Sequence, residues 1–343
     1  MKYHPWANDI VGFYNLEAMG SGGREILFQS TPDSWVLTSY KQYAKHPFGS
    51  IIGQDLFSNG LLPADTDFRI FYGESKRPIS GIDVAFVRNG AVYHTPSDDL
   101  DHLDPGQIQH MGENVLSVVE GVLSHPFPSP SSIQNLIYFD IFGITMITFK
   151  RDIAIPLWNS LLIIAIGLLL RNPTPFNHSL KRCFKIYSFT FLSAIILPCI
   201  VLYIIKAPYF WYSYPFSGVL FYATLPFLTQ ILVAVIIDRS CYFSYSIHER
   251  LYSHLIVDTV LLCGIGSIMA FFHLDMNYFF LILAIPLLLA CILLLFVNAE
   301  SCRLILCTLL IIPTIGYFSY VTVSLHYYID CSSFCRSHLS NYR

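Results

Sequence analysis

The stretch GIDVAFVRNGAVYHTPSDDLDHL, Gly81 to Leu103, decides how this chain folds. Ile82, Val84 and Phe86, with Val87 following, form a β-branched and aromatic run of the kind that builds a buried strand. Asn89-Gly90 then turns the chain, and His94 arrives between Tyr93 and Thr95 just where the sequence becomes acidic. A histidine at a strand exit has two readings. It can hydrogen-bond its own acidic loop, or it can be mounted to bind something, because loops at strand ends carry much of the binding chemistry of folded domains. The segment by itself leaves both open.

Upstream, the first 30 residues hold no basic stretch followed by an apolar one and read as the interior of a domain rather than a signal peptide. Ile10 to Leu16 predict a strand with Glu17 at its exit, and a turn rich in glycine (Gly20, Gly22, Gly23) leads into a second strand, Glu25 to Gln29. Asp33 is placed to cap a helix running to about Ala44. A short helix over Ser50 to Phe57 precedes Pro63-Ala64-Asp65-Thr66-Asp67-Phe68, where acids and a hydroxyl sit beside an aromatic. That run is either a turn satisfying its own backbone or a loop that faces a ligand.

Downstream of His94, Ile108, Met111, Val115, Val118, Val119 and Val122 recur at helical spacing and predict an amphipathic helix from Gly106 to Leu123. Residues 125–132, HPFPSPSS, have the composition of a linker. Leu136 to Phe149 is apolar but short and is interrupted by Asp140, which predicts an interfacial or re-entrant segment.

The second half has a different character. The chain is 54% hydrophobic and 13% charged with a mean hydropathy of +0.53, too apolar for an ordinary soluble domain. From Ile153 onward six apolar runs, at about 153–170, 186–205, 216–237, 255–272, 278–297 and 304–325, are each long enough to cross a bilayer. Arg171, Lys181, Arg182, Lys185, Arg239, Arg250 and Arg303 fall on one side of these spans, which places that side in the cytosol and residues 1–150 across the membrane from it. Asp258 reads as an acid in the first turn of a span, where the helix dipole favours it. A net charge of -3 without basic clusters excludes a nucleic-acid partner. All nine cysteines follow residue 182, so any metal held by the first half must use His, Asp or Glu.

The segments HPWANDIVGFYNLEAMGSGGREILFQ, KHPFGSIIGQDLFSNGLLPADTDFRIF, GIDVAFVRNGAVYHT and QHMGENVLSVV, followed by a multi-spanning region, resemble the endoplasmic reticulum metallopeptidase 1 type of membrane protease, a relative of aminopeptidase Y and the co-catalytic zinc exopeptidases. The resemblance implies an α/β fold, a truncated zinc-exopeptidase sandwich with a mixed sheet over residues 1–124. It further implies a linker and interfacial segment over 125–152, an all-α transmembrane bundle of about six helices over 153–326 and a tail over 327–343. It implies a site of two zinc ions in which Glu17 of NLEA and His94 of VYHT are metal ligands. Tyr93 would polarise the scissile carbonyl, and Asp65, Thr66, Asp67 and Phe68 would face a peptide substrate. The family places a His-x-Asp motif, a bridging Asp and a Glu-Glu pair ahead of the NLEA segment, and no Glu-Glu pair occurs within residues 1–150. The expectation is therefore the C-terminal portion of a zinc exopeptidase of the endoplasmic reticulum membrane, multi-pass with its soluble part lumenal. A partner chain or an upstream segment would complete the site, and the chain would be inactive by itself. The other expectation is a catalytically inactive membrane protein whose lumenal part binds peptides or partners.

Overall fold

The computed structural model describes residues 4–32, 35–60, 65–73, 79–125, 134–171, 176–205, 228, 232, 233, 236 and 247–296. Two compact units divide the chain, the first ending at Ile153 and the second beginning at Ala154.

In the first unit three strands form a mixed sheet: β1 (Gly12–Ala18), β2 (Gly22–Ser30) and β3 (Ser80–Arg88), in the order β1-β3-β2. β3 is the central strand, parallel to β1 and antiparallel to β2, and every residue from Ser80 to Val87 is buried. A strand covered on both faces reads as a near-continuous apolar run rather than an alternating one, as Ile82 to Val87 do apart from Asp83. Residues paired across neighbouring strands share a face. Phe13, Asn15, Glu17, Ile26, Asp83 and Ala85 therefore point to one side, and Tyr14, Glu25, Leu27, Val84 and Phe86 to the other.

Each face is covered by helices. On the Asp83 face lie α2 (Ile52–Ser58), whose Leu56 and Phe57 pack on Met19, Ile26, Phe28, Ala85 and Val87, and α3 (Asp67–Gly73), whose Phe68 meets Phe13 at 5.4 Å between ring centroids. A Cβ at Gly81 would come within 2.3 Å of the Phe13 ring, so glycine is required there for Phe13 to lie against the sheet. On the other face lie α1 (Trp35–Tyr43), with Tyr40 edge-on to Tyr14 at 6.1 Å, and α4 (Gln107–Ser124). The turn between β1 and β2 lies flat on the end of β3: a Cβ at Gly20 would fall 2.2 Å from the Arg88 carbonyl oxygen.

Two expectations are corrected in this unit. Leu136 to Phe149 is not a re-entrant segment but a β-hairpin, β4 (Leu136–Ile141) and β5 (Thr145–Lys150). Asp140, which seemed to break an apolar run, makes the hairpin: its carboxylate accepts from Gly49 N at 3.2 Å and Gly143 N at 2.6 Å, while Phe142 and Gly143 take the positive φ of a tight turn. Backbone bonds from Ser50 to Leu27 and from Ile51 to Tyr138 stitch β2 and the hairpin together through residues 48–51. The core face of α4 is also turned from the one its valines predict. Gln107, Met111, Asn114 and Val118 are buried, whereas Ile108 is 65% and Val119 44% exposed. Polar partners on the sheet, described below, set that rotation. Asp33 and residues 126–133 of the linker lie outside the described residues.

Among the described residues three helices are long and apolar enough to cross a membrane: α5 (Arg151–Arg171), which begins at the unit boundary, residues 252–271 of α7 (Ile247–Phe271), and the segment Asp275–Leu294 containing α8 (Tyr278–Leu294). The run at 186–205 lies within α6 (Phe176–Ile205). Those at 216–237 and 304–325, apart from isolated positions, and the tail with Cys331 and Cys335 lie outside the described residues. Pro156 and Pro286 sit inside α5 and α8. Trp158 donates from Nε1 to Asn277 at 2.9 Å, and a Cβ at Gly266 would enter its ring. The reading of Asp258 as a first-turn acid is corrected as well. α7 begins at Ile247, which puts Asp258 about three turns in. There the helix dipole offers little, and the Tyr187 hydroxyl of α6 donates to its carboxylate at 2.8 Å.

Candidate metal centre and substrate loop

Glu17 is the penultimate residue of β1 and His94 follows the carboxyl end of its parallel neighbour β3, the end of the strands at which α/β proteins commonly bind ligands. Glu17 is half-buried. Its Oε1 accepts from Asn15 Nδ2 at 3.3 Å and from the backbone N–H of Asp67 at 3.4 Å, while Oε2 takes no hydrogen bond among the described residues. A carboxylate held through one oxygen with the other free has the disposition of a metal or substrate ligand.

His94 lies beyond β3, after a 3₁₀ turn at Gly90–Val92 entered through Asn89 in the left-handed conformation. His94 itself takes φ 57°, is exposed, and stacks on Tyr93 at 3.9 Å between centroids. A non-glycine residue in that region is uncommon and accompanies functional positions more often than ordinary loops.

The Asp65–Phe68 loop meets Glu17 directly. Thr66 Oγ1 lies 2.5 Å from Asp83 Oδ2, Asp67 N reaches Glu17, and Phe68 is buried against Phe13. Asp65, exposed, pairs with Arg69 one turn on. Asp83, fully buried, also accepts from Asn15 Nδ2 at 2.9 Å. Burial raises its pKa from 3.8 to about 7, with the Glu17 and Asp67 charges adding to the rise and the Thr66 and Asn15 hydrogen bonds opposing it.

Glu17 lies near the end of β1 and His94 beyond β3, its parallel neighbour. Among the described residues no three His, Cys, Asp or Glu side chains lie close enough to hold an ion together. Glu17 and His94 are of the residue types that ligate zinc, but they number two where about three protein ligands are usual. A His-x-Asp triplet does occur, His102-Leu103-Asp104, but it follows His94 and closes a loop. His102 Nδ1 lies 2.7 Å from Asp99, holding that carboxyl below its ordinary pKa, and Asp104 accepts from Gly23 N at 3.2 Å beside Arg88.

Sequence reading passed over Asn15 and Asp83, although an acid inside the run GIDVAFV was a visible signal. It also passed over a second polar cluster on the opposite face. Glu25, 1% exposed, pairs through Oε2 with His110 Nδ1 at 2.6 Å and accepts from Asn114 Nδ2. Asn114 Oδ1 receives the His46 N–H at 2.8 Å, and the His46 ring stacks on His110 at 5.0 Å. These contacts turn α4 so that Asn114 rather than Ile108 faces the sheet.

The chain is similar to known proteins over both its halves. The profile of peptidase family M28 matches residues 1–119. The endoplasmic reticulum metallopeptidase 1 of Rattus norvegicus is 32% identical over 282 residues, 78% of this chain and 31% of that protein. The human protein of the same name is 32% identical over 258 residues, 71% and 28% of the two chains. A vacuolar membrane protease of Emericella nidulans is 35% identical over 179 residues, 49% and 18%. This chain thus spans less than a third of the length of these relatives. No solved structure matches.

Proposed function

We propose, from the premise that residues 1–119 belong to peptidase family M28, that this chain is part of a zinc-dependent exopeptidase of the endoplasmic reticulum membrane. One observation carries the reading: Glu17 is held through Oε1 alone, at the carboxyl end of β1, against the Asp65–Phe68 loop. Glu17 and His94 serve as metal ligands, Tyr93 lies beside His94 to polarise a peptide carbonyl, and Asp65, Thr66, Asp67 and Phe68 line the path of the peptide. Zinc, when bound, supplies a Lewis acid for the carbonyl and lowers the pKa of the attacking water. The protein residues orient the substrate, and Asn15 and the Asp67 N–H hold the Glu17 carboxylate in place by donating to it.

Two ligands leave an ion open and hydrated. The chain of 343 residues is therefore expected to bind zinc weakly and turn over no peptide by itself, its remaining ligands and general base coming from an upstream segment or a partner chain. The apolar second half anchors it as a multi-pass protein in lipid, about six helices with residues 1–150 lumenal, in keeping with the excess of Lys and Arg on the other side. The short donor set favours a second reading, an inactive membrane protein whose lumenal part binds peptides.

Zinc content after dialysis and hydrolysis of an aminoacyl-coumarin substrate separate these readings. The chain alone should hold sub-stoichiometric zinc without turnover. Supplied with an M28 segment carrying the remaining ligands, it should gain both, and Glu17→Gln or His94→Ala should abolish the gain. Turnover by the chain alone, lost in His94→Ala, would overturn the inactive-alone assignment. Complemented protein that holds zinc and ignores both substitutions would overturn the ligand assignment.

A further inference from the structure

What brings the Asp65–Phe68 loop, about 50 residues away in sequence, against Glu17? The contacts form a closed ring. Asp83 stands on the central strand with its side chain fully buried, and each oxygen serves a different element. Oδ1 accepts from Asn15 Nδ2 on β1, and the same amide nitrogen reaches Glu17 Oε1. Oδ2 meets Thr66 Oγ1 at the entrance to α3, and the next backbone N–H, that of Asp67, returns to the same Glu17 oxygen. Every donor in the ring that reaches Glu17 reaches Oε1, which is why Oε2 is the oxygen left open. An apolar residue at position 83 would take from Asn15 Nδ2 one of its two acceptors and from Thr66 Oγ1 its partner. The acid is not there for stability, since burying it beside Glu17 and Asp67 is unfavourable, as its raised pKa reports.

We propose that Asp83 is a positioning residue of this site: holding Asn15 with one oxygen and Thr66 with the other, it sets the Asp65–Phe68 loop against Glu17 and turns the free Oε2 outward. The inference rests on the metallopeptidase reading for its purpose, but its geometry can be tested without it.

Amide exchange over residues 65–73 of the full chain in detergent micelles reads the geometry. Asp83→Leu and Thr66→Val should each speed exchange there by roughly tenfold, the scale of one lost hydrogen bond, and no more together than singly. Asp83→Asn, whose amide keeps an acceptor for Asn15 and gains a donor for Thr66, should restore protection. If Asp83→Leu also deprotects β3, it has disturbed the fold, and Thr66→Val, at a half-exposed position, decides alone. Unchanged exchange over 65–73 in Thr66→Val would overturn the proposal, as would Asp83→Asn behaving like Asp83→Leu. In complemented, active protein Thr66→Val should raise the peptide KM by roughly tenfold with kcat nearly unchanged, whereas a merely structural defect would lower the active fraction and leave KM alone. Absence of zinc and turnover in the complemented parent would sink the metallopeptidase reading while the exchange result still judged Asp83.

Discussion

The two faces of the small sheet each bury a carboxylate beside an asparagine, and they solve the problem in opposite ways. On one face Glu25 is met by the His110 imidazole and the Asn114 amide, so that a helix supplies a partner to each of its oxygens. On the other, Asp83 has Asn15 and Thr66 for partners and two further acids, Glu17 and Asp67, for neighbours, with no base in contact among the described residues. The first arrangement docks a helix. The second accumulates negative charge at the carboxyl end of β1, which costs stability and suits a cation or a polarised substrate. Burial and the Glu25 charge together hold the Tyr40 phenol well above its ordinary pKa. The difference teaches that what a buried acid does is read from its partners, a docked helix on one face and a gathering of acids on the other.

The strongest way to break this contrast is to remove Glu25. Glu25→Ala should strand His110 and Asn114 against the sheet and cost about 3–5 kcal/mol, read as a fall in the denaturant midpoint of the first unit. A cost under about 1 kcal/mol would show that water already serves these groups.

The next effect is a pH dependence confined to the other face. Because the folded pKa of Asp83 lies near 7 against an ordinary 3.8, the native state binds more protons than the unfolded one between those values. Its contribution is therefore fully present at low pH and is lost as pH rises from about 4 to about 7, by at most about 4 kcal/mol. Asp83→Asn should flatten the unfolding free energy across that window, measured by denaturant titration at several pH values. Parallel curves for the parent and Asp83→Asn would assign the titration to another group.

The smallest effect tests which way α4 faces. Ile108→Ser, at a position 65% exposed, should change stability by no more than about 0.5 kcal/mol, whereas Met111→Ser, buried one turn along, should cost about 2 kcal/mol or more. Equal costs would restore the face that the valine spacing implies.

Composition and periodicity were enough to establish several features: β3 as a fully buried strand, the turn at Asn89-Gly90, a polar first half and a helical apolar second half. Each is a local property, an apolar run or a residue that sets its own backbone angles. The motifs around Glu17, Asp65–Phe68 and His94 likewise led to the family that comparison shows. Three features were decided only by the tertiary structure, because each depends on partners far away in the chain. Leu136 to Phe149 became a hairpin because the Asp140 carboxylate, which hydropathy alone counts as an interruption, accepts from the N–H groups of Gly49 and Gly143. The face of α4 followed Glu25, 85 residues before His110, rather than the valines. Asp83, indistinguishable in sequence from a stray acid in a strand, acquired its place because the parallel pairing of β1 with β3 sets Asn15 beside it and the loop before α3 crosses above. Sequence pattern reports how much of a segment wants to leave water; which hydrogen-bond partner a buried polar group finds is settled only when the elements pack, since an unpartnered one costs more than a rotated helix.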